Sequence, residues 1–393
     1  LSSKKILIVA GEASGDLHAG NLIRAAKDCA PQLEFYGMGG HEMRQAGARL
    51  THDLRQVSVI GLVEVLGRLP TIFRTLRELA ASLAVEKPDL AVLVDFPDFN
   101  LRLAEKIRAA GIPVLWYISP QIWAWRAERF ARIDRLVNYL LIILPFEREF
   151  YQRYQRNAHF VGHPLVDTAQ TTLTRSEARQ QLQLHPENPV IALLPGSRQI
   201  EIKLLLPHLQ QAAEILAARD KTRQFIIPVA NSLEPQLLAR FLQTSSLPIK
   251  LITNQSTYNC LQAADAAVVA AGTATLETAL LQVPEVIIGR VTRLTWLLWS
   301  RYTKLPYYGL PNWILQEKAI TELIQYQASG EGIAREVETL LTSVSEQQRL
   351  KLVYQRLKEV LGGGGASKRA AIALIDILNG NDAAYRFQQN VLH

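Results

Sequence analysis

Short, unbroken apolar runs alternate along the chain with longer stretches of helical period. Lys5–Ala10, Leu33–Gly37, Leu90–Val94, Val114–Ile118 and Tyr139–Leu144 read as buried strands. Between them lie helical patterns: one follows the Gly11–Asp16 loop through Lys27, another ends near Gly47, and a third over 101–110 is closed by Gly111 and Pro113. Strands that lack polar alternation and are each followed by a helix imply a mostly parallel sheet covered on both faces.

The polar stretch 166–189, with Thr171, Thr172 and Thr174 and then Pro186 and Pro189, predicts a linker with a short helix. The strand–helix rhythm then restarts with Val190–Leu194, Gln224–Val229, Lys250–Thr253, Ala266–Ala270 and Glu285–Gly289 as strands, and helices around 201–218 and 275–282. The fold class is therefore α/β: two Rossmann-like domains, 1–165 and 190–361, expected to face each other across a cleft. Gly362–Gly365 forms a joint before a helix over 366–379, so that the segment 366–393 is free to pack back on the N-terminal domain.

With 48% apolar and 20% charged residues, the 393-residue chain has material for sizeable cores and lacks the signature of disorder. Its formal charge of +7 suits an anionic substrate or an anionic membrane surface, whereas a nucleic-acid binder would concentrate its basic residues more. Cys29 and Cys260 suggest neither a disulfide framework nor a ligand set, and the histidines at 18, 41, 52, 159, 163 and 208 make no metal-binding pair. A reducing, cytoplasmic setting is the simple reading. No apolar stretch reaches the length of a spanning helix, and Ile6–Ala10 is too short for a signal-peptide core.

Four loops at strand exits carry candidate chemistry, since ligands in such sheets bind beyond the carboxyl ends of the strands. The first, Gly11-Glu-Ala-Ser-Gly-Asp16, fits neither GxGxxG nor a P-loop; it offers Glu12, and Asp16 as a capping group. The second, Asp95-Phe-Pro-Asp-Phe-Asn100, offers Asp95 as a base, with Asp98 placed to cap a helix starting near Leu101. In the third, Leu194-Pro-Gly-Ser-Arg198, the amides around Gly196 and Ser197 would face an anion, and Arg198 would clamp a diphosphate; Glu201 would cap the following helix. The fourth, Ala271-Gly-Thr-Ala-Thr-Leu-Glu277, opens a helix at Gly272 and Thr273 and places Glu277 to accept from ribose hydroxyls or to complement the helix dipole. No GxSxG elbow is present, so serine hydrolysis is a poor reading. His163, inside Val161-Gly-His-Pro164, reads as a hinge hydrogen-bonding group rather than a ligand.

Three further stretches are greasy or basic: 57–69, the tryptophan-rich run 116–125 followed by Arg126, Arg129, Arg132 and Arg135, and Thr295–Trp299 between Arg293 and Arg301. Each is equally compatible with ordinary core packing and with contact to acyl chains or a membrane surface.

Taken in order, these loops resemble the lipid-A-disaccharide synthase family of GT-B glycosyltransferases. The matching segments are Ala10–Asp16, Asp95–Asn100, Tyr117–Arg126, Leu144-Pro-Phe-Glu147, Val161–Pro164, Leu194–Arg198, Gly272–Glu277 and Leu310-Pro-Asn312, which together span nearly the whole chain. The resemblance implies inverting transfer of diacylglucosamine from its UDP conjugate to the 6-hydroxyl of 2,3-diacylglucosamine 1-phosphate, giving a β-1,6-linked disaccharide and UDP with no metal or cofactor. It implies Glu12 and Asp95 as the acidic residues that matter in the first domain, with Asp95 the base, Arg198 on the departing diphosphate, Glu277 on the nucleotide and Asn312 in the donor site. It also implies transient contact with the cytoplasmic membrane face and leaves a homo-oligomer open. The chain departs from the family pattern at Ala271, where serine is expected, at Gly309, which precedes Leu-Pro-Asn in place of serine, and at Thr321, where proline is usual. The competing readings are a GT-B transferase or epimerase for another nucleotide sugar, and a catalytically silent lipid-surface protein.

Overall fold

In the computed structural model, residues 3–54, 62–120, 130–229, 247–253, 256–293, 295–297 and 305–387 are described, together with positions 236, 238 and 242; of 62–69 only the helical backbone is included. The chain divides into two compact units: Leu1–Pro164 with Leu361–His393, and Leu165–Val360.

The first unit is built on seven strands: β1 Lys5–Ala10, β2 Glu34–Gly39, β3 Arg49–Asp53, β4 Leu90–Val94, β5 Val114–Tyr117, β6 Tyr139–Ile142 and β7 His159–Phe160. Their order is β3-β2-β1-β4-β5-β6-β7, and every pair is parallel. Ile6 to Ala10 are fully buried, as are Leu90 to Val94, because helices cover both faces. The helix Ala13–Cys29 turns Ala19, Leu22, Ile23 and Ala26 inward, the i, i+3, i+4, i+7 spacing of one helical stripe. Trp116, on β5, lies in the core, where each large side chain contributes roughly 1.5–3 kcal/mol by leaving water.

The helix expected over 101–110 begins at Pro97 and runs to Ala109. Proline is well suited to the first helical position, since it lacks only an N–H that would have had no intrahelical partner. Phe96 is therefore the cap residue and Asp98 lies inside the first turn, which corrects the capping role expected for it. Asp16 does cap a helix, though not its own: its buried carboxylate accepts from the backbone N–H of Gly40 at 2.7 Å, Glu42 at 3.0 Å and Met43 at 3.2 Å, at the start of helix His41–Gln45.

The chain leaves this unit after Pro164 and re-enters it at Leu361. The His163 N–H donates to the Leu361 carbonyl at 3.2 Å, and the Arg369 guanidinium donates to the carbonyls of Val161, Gly362 and Gly364. Beyond this clasp the helix Ala366–Leu378 packs on helix Ala13–Cys29, and the Phe387 ring is buried edge-on to Tyr151.

The second unit holds β8 Val190–Leu194, β9 Gln224–Pro228, β10 Ile249–Ile252, β11 Ala266–Ala270, β12 Glu285–Gly289 and β13 Glu322–Ile324, all parallel, in the order β10-β9-β8-β11-β12-β13. The segment 166–189, expected as a linker, belongs to this unit. Its helix Arg175–Gln181 is capped by Thr174, and the buried Arg179 donates to Asp265 Oδ2 at 2.6 Å, an oxygen that also accepts from the Val190 N–H. Polar composition suggested a linker with a short helix; the helix is present, and polar groups of the segment are held in fixed bonds. None of the described helices is long and apolar enough to cross a membrane.

Candidate active site

In the first unit, β1 and β4 are neighbours with Ala10 beside Val94, so the loops that follow them emerge side by side. Glu12 is exposed and begins the helix Ala13–Cys29 without making a side-chain cap bond. Asp95 and Phe96 both have left-handed backbones, φ +44° and +47°, which non-glycine residues seldom adopt and which cluster at functional sites. The Phe96 ring packs over Gly11: a Cβ on that glycine would stand 2.1 Å from Phe96 Cδ1. Burial foremost, and then the Glu12 carboxylate, push the Asp95 carboxyl up to about 6. That value suits a general base near neutral pH, because the group is ionised there yet still basic enough to take a proton.

Sequence reasoning missed Asn100. Its side chain is fully buried, and Nδ2 donates to the carbonyls of Asp95 at 2.7 Å and Val94 at 3.3 Å. An Asn as the fourth residue of a helix that opens on the proline of Asp-Phe-Pro was the available signal.

In the second unit a cavity of about 420 Å³ opens where β8 and β11 end. Gly196, Ser197, Arg198, Gly272, Thr273 and Glu277 line it, with Glu201 and Thr257. Six expected donor-site residues, drawn from two loops far apart in sequence, thus share one wall. The helix Thr273–Leu280 starts at Gly272 with no side-chain cap; the Thr275 N–H donates back to the Gly272 carbonyl at 3.2 Å, while Thr273 and Ala274 line the cavity. Glu277 Oε1 accepts from the Tyr258 hydroxyl at 2.8 Å, and burial raises the Glu277 carboxyl above its ordinary value.

The turn at Gly196 differs from expectation. Its amides face an internal carboxylate: Glu201 Oε2 accepts from the N–H of Ser197 at 3.1 Å and of Arg198 at 3.2 Å. Glu201 thereby occupies the place expected for an anion, because a carboxylate three residues into a helix satisfies the same open donors. The Arg198 side chain is 69% exposed and meets Glu201 Oε1 at only 3.4 Å, which leaves its guanidinium available.

Asn312 is not among the residues lining this cavity. Its side chain is fully buried, donating to Ile320 O at 2.8 Å and Glu322 Oε1 at 2.9 Å and accepting from the Ile320 N–H at 2.9 Å. Glu322 in turn accepts from the N–H groups of Tyr308 and Gly309. The side chain expected in the donor site thus fastens β13 to the helix Leu310–Leu315.

The family model for lipid-A-disaccharide synthetase (LpxB) matches residues 6–375. A lipid-A-disaccharide synthase of Geobacter metallireducens is 39% identical over 376 residues, 96% of this chain and 98% of that protein. One from Myxococcus xanthus is 40% identical over 375 residues, 95% and 97% of the two chains.

The chain belongs to the lipid-A-disaccharide synthase family.

It is accordingly a glycosyltransferase of lipid A biosynthesis, and its two parallel-sheet units are those of the GT-B architecture. A UDP-GlcNAc 2-epimerase from Neisseria meningitidis shares the fold with a TM-score of 0.66 at 12% identity, covering 96% of this chain and all of its own. The calicheamicin glycosyltransferase CalG4 does so with a TM-score of 0.59 at 15% identity, covering 98% of this chain and 100% of its own.

Within the family pattern, the departures have local consequences. Ala271 is exposed on the cavity wall. At Gly309 a Cβ would stand 2.3 Å from Ile287 Cδ1, so serine there requires the isoleucine to shift. Thr321 lines a second cavity of about 630 Å³, with Trp296, Tyr308 and Tyr326. Of the stretches considered for acyl-chain or membrane contact, 57–61, 121–129 and 298–301 lie outside the described residues. Trp116 belongs to the core, and Arg132 pairs with Glu105 at 2.9 Å.

Proposed function

We propose that this chain condenses UDP-2,3-diacylglucosamine with 2,3-diacylglucosamine 1-phosphate, forming the β-1,6-linked lipid A disaccharide precursor and releasing UDP. The observation that carries the reading is the second unit's cavity, where a largely exposed arginine, a helix N-terminus without a side-chain cap and a half-buried carboxylate meet at the strand exits. These groups match the parts of a nucleoside diphosphate: the Arg198 fork and the first-turn amides of helix Thr273–Leu280 for the diphosphate, and Glu277 for the ribose hydroxyls. The diphosphate would displace Glu201 from the Ser197 and Arg198 amides or bind alongside it.

Asp95 is the base in this reading. It takes the proton from the acceptor's 6-hydroxyl as that oxygen attacks the anomeric carbon. The bond to the diphosphate breaks on the opposite face, and the electron pair leaves with UDP, stabilised by Arg198 and the amides. One displacement inverts an α donor to a β product and needs no protein nucleophile. Glu12 keeps Asp95 basic by its charge. Acylated substrates reside in membranes, so the proposal includes transient contact with the cytoplasmic membrane face. Each methylene buried is worth about 0.8 kcal/mol.

The test is to supply the purified protein with both acylated sugars and to follow UDP release and disaccharide together. Stoichiometric appearance of both supports the reading. An altered nucleotide sugar formed without acceptor would favour an epimerase instead, and no turnover with either would overturn both.

A further inference from the structure

We propose that Asn100 is a positioning residue for the reaction, fixing the left-handed turn that presents the Asp95 carboxylate; the inference rests on the reading of Asp95 as the base. Several contacts hold the turn, among them the Asn100 N–H donating to the Phe96 carbonyl at 3.1 Å. The Asp95 N–H donates to the Tyr117 carbonyl at 3.2 Å, the Phe96 ring is wedged over Gly11, and Asn100 Nδ2 bridges the consecutive carbonyls of Val94 and Asp95. The last is made by a side chain to the backbone of Asp95 itself.

Both partners of Nδ2 are carbonyl oxygens, which can only accept, so the orientation of the amide is fixed by chemistry. Asn100 Oδ1 is buried with no hydrogen-bond partner. A half-satisfied amide in a core is costly; an apolar residue would avoid burying it, but would take this donor away from the Asp95 and Val94 carbonyls. What the amide provides in return is control of a carbonyl at the strand exit, where two successive non-glycine residues hold positive φ. If the turn relaxes, the Asp95 carboxyl loses its enclosed place beside Glu12 and reaches water.

The experiment compares Asn100→Ala, Asn100→Ser and Asn100→Asp with the parent enzyme, measuring kcat and KM for both acylated sugars from pH 4.5 to 8.5. Asn100→Ala should lower kcat by about 10- to 100-fold, the range for a reacting group displaced by about an ångström, with KM changed less than about threefold. Its acid limb should move below the parent's, because a hydrated Asp95 titrates nearer the ordinary carboxylate range. Asn100→Asp places oxygen against the two carbonyls and a negative charge near Asp95, and should move the limb upward. Asn100→Ser keeps a donor and should recover part of kcat; it also carries the test if the alanine variant does not fold.

Loss of folded protein without movement of the limb would mark Asn100 as merely structural and overturn the proposal, as would parental kcat and an unmoved limb. Asp95→Asn, measured in parallel, separates the two ideas. If that variant turns over normally, the base assignment fails; if it is inactive while the Asn100 variants behave as the parent, only the role of Asn100 fails.

Discussion

The Phe96 ring fills the space that a side chain on Gly11 would need, with Cδ1 2.1 Å from where a Cβ would lie. This contact joins the loops after β1 and β4, which carry Glu12 and Asp95. Gly11→Ala should therefore push Phe96 aside, cost about 1–3 kcal/mol as overpacking does, and lower turnover at least about tenfold. Thermal melts and steady-state rates check both halves. An alanine variant with parental rate and melting temperature would show that the wedge does not matter.

The Asp95 carboxyl, raised to about 6, sets the acid side of the pH–rate profile: activity should fall as pH drops through that region. Part of the rise comes from the charge of Glu12, so Glu12→Gln should move this limb to lower pH. Stability runs the other way. A group whose folded-state pKa lies above its unfolded value favours folding while protonated, and that contribution is lost as pH rises through the folded value. Asp95→Asn should accordingly abolish most turnover and raise the melting temperature at pH 8 relative to the parent. At pH 4 the two proteins should melt alike, and a larger gain there than at pH 8 would contradict this account.

Arg198 makes one long contact and is mostly exposed. Replacing it with alanine should change stability by no more than about 0.5 kcal/mol, while UDP affinity falls about tenfold or more. Lysine restores charge without the planar fork and should recover little. Glu201→Gln keeps an acceptor for the Ser197 and Arg198 amides but removes a negative charge beside them, and should tighten UDP binding a few-fold. Calorimetric titration of UDP measures all three.

Asn312 tells the reverse story. Its three bonds fasten Ile320 and Glu322, so Asn312→Ala should cost roughly 2–4 kcal/mol and lower the melting temperature. UDP affinity of the folded variant should change less than about twofold. Weakened UDP binding without lost stability would return this residue to the donor site.

The strands β1, β4, β8, β11 and β12 were legible to the residue because each is a short apolar run with no polar interruption, buried on both faces. β3 and β13 were not: Arg49–Asp53 and Glu322–Ile324 sit at sheet edges, where half-exposed polar residues dilute the signal. Six residues that line the second unit's cavity were legible because strand-exit glycines and charges mark such loops. What escaped were bonds between positions distant in sequence. Asp16 caps a helix 24 residues later, Asn312 and Glu322 meet only in the fold, and Tyr258 reaches Glu277 across a strand. No local spacing announces such pairs. The attachment of 166–189 to the second unit escaped likewise, since Arg179 finds Asp265 only once β11 is in place.

Because the chain quits the first unit at Pro164 and re-enters it at Leu361, the second unit is in effect an insertion within the first. During synthesis the helix Ala13–Cys29 must wait, its flank uncovered, while residues 165–360 are made, until Ala366–Leu378 emerges to cover it. A ribosome paused within the second unit would hold a nascent first unit with an open seam, and this is where a chaperone would find its grip.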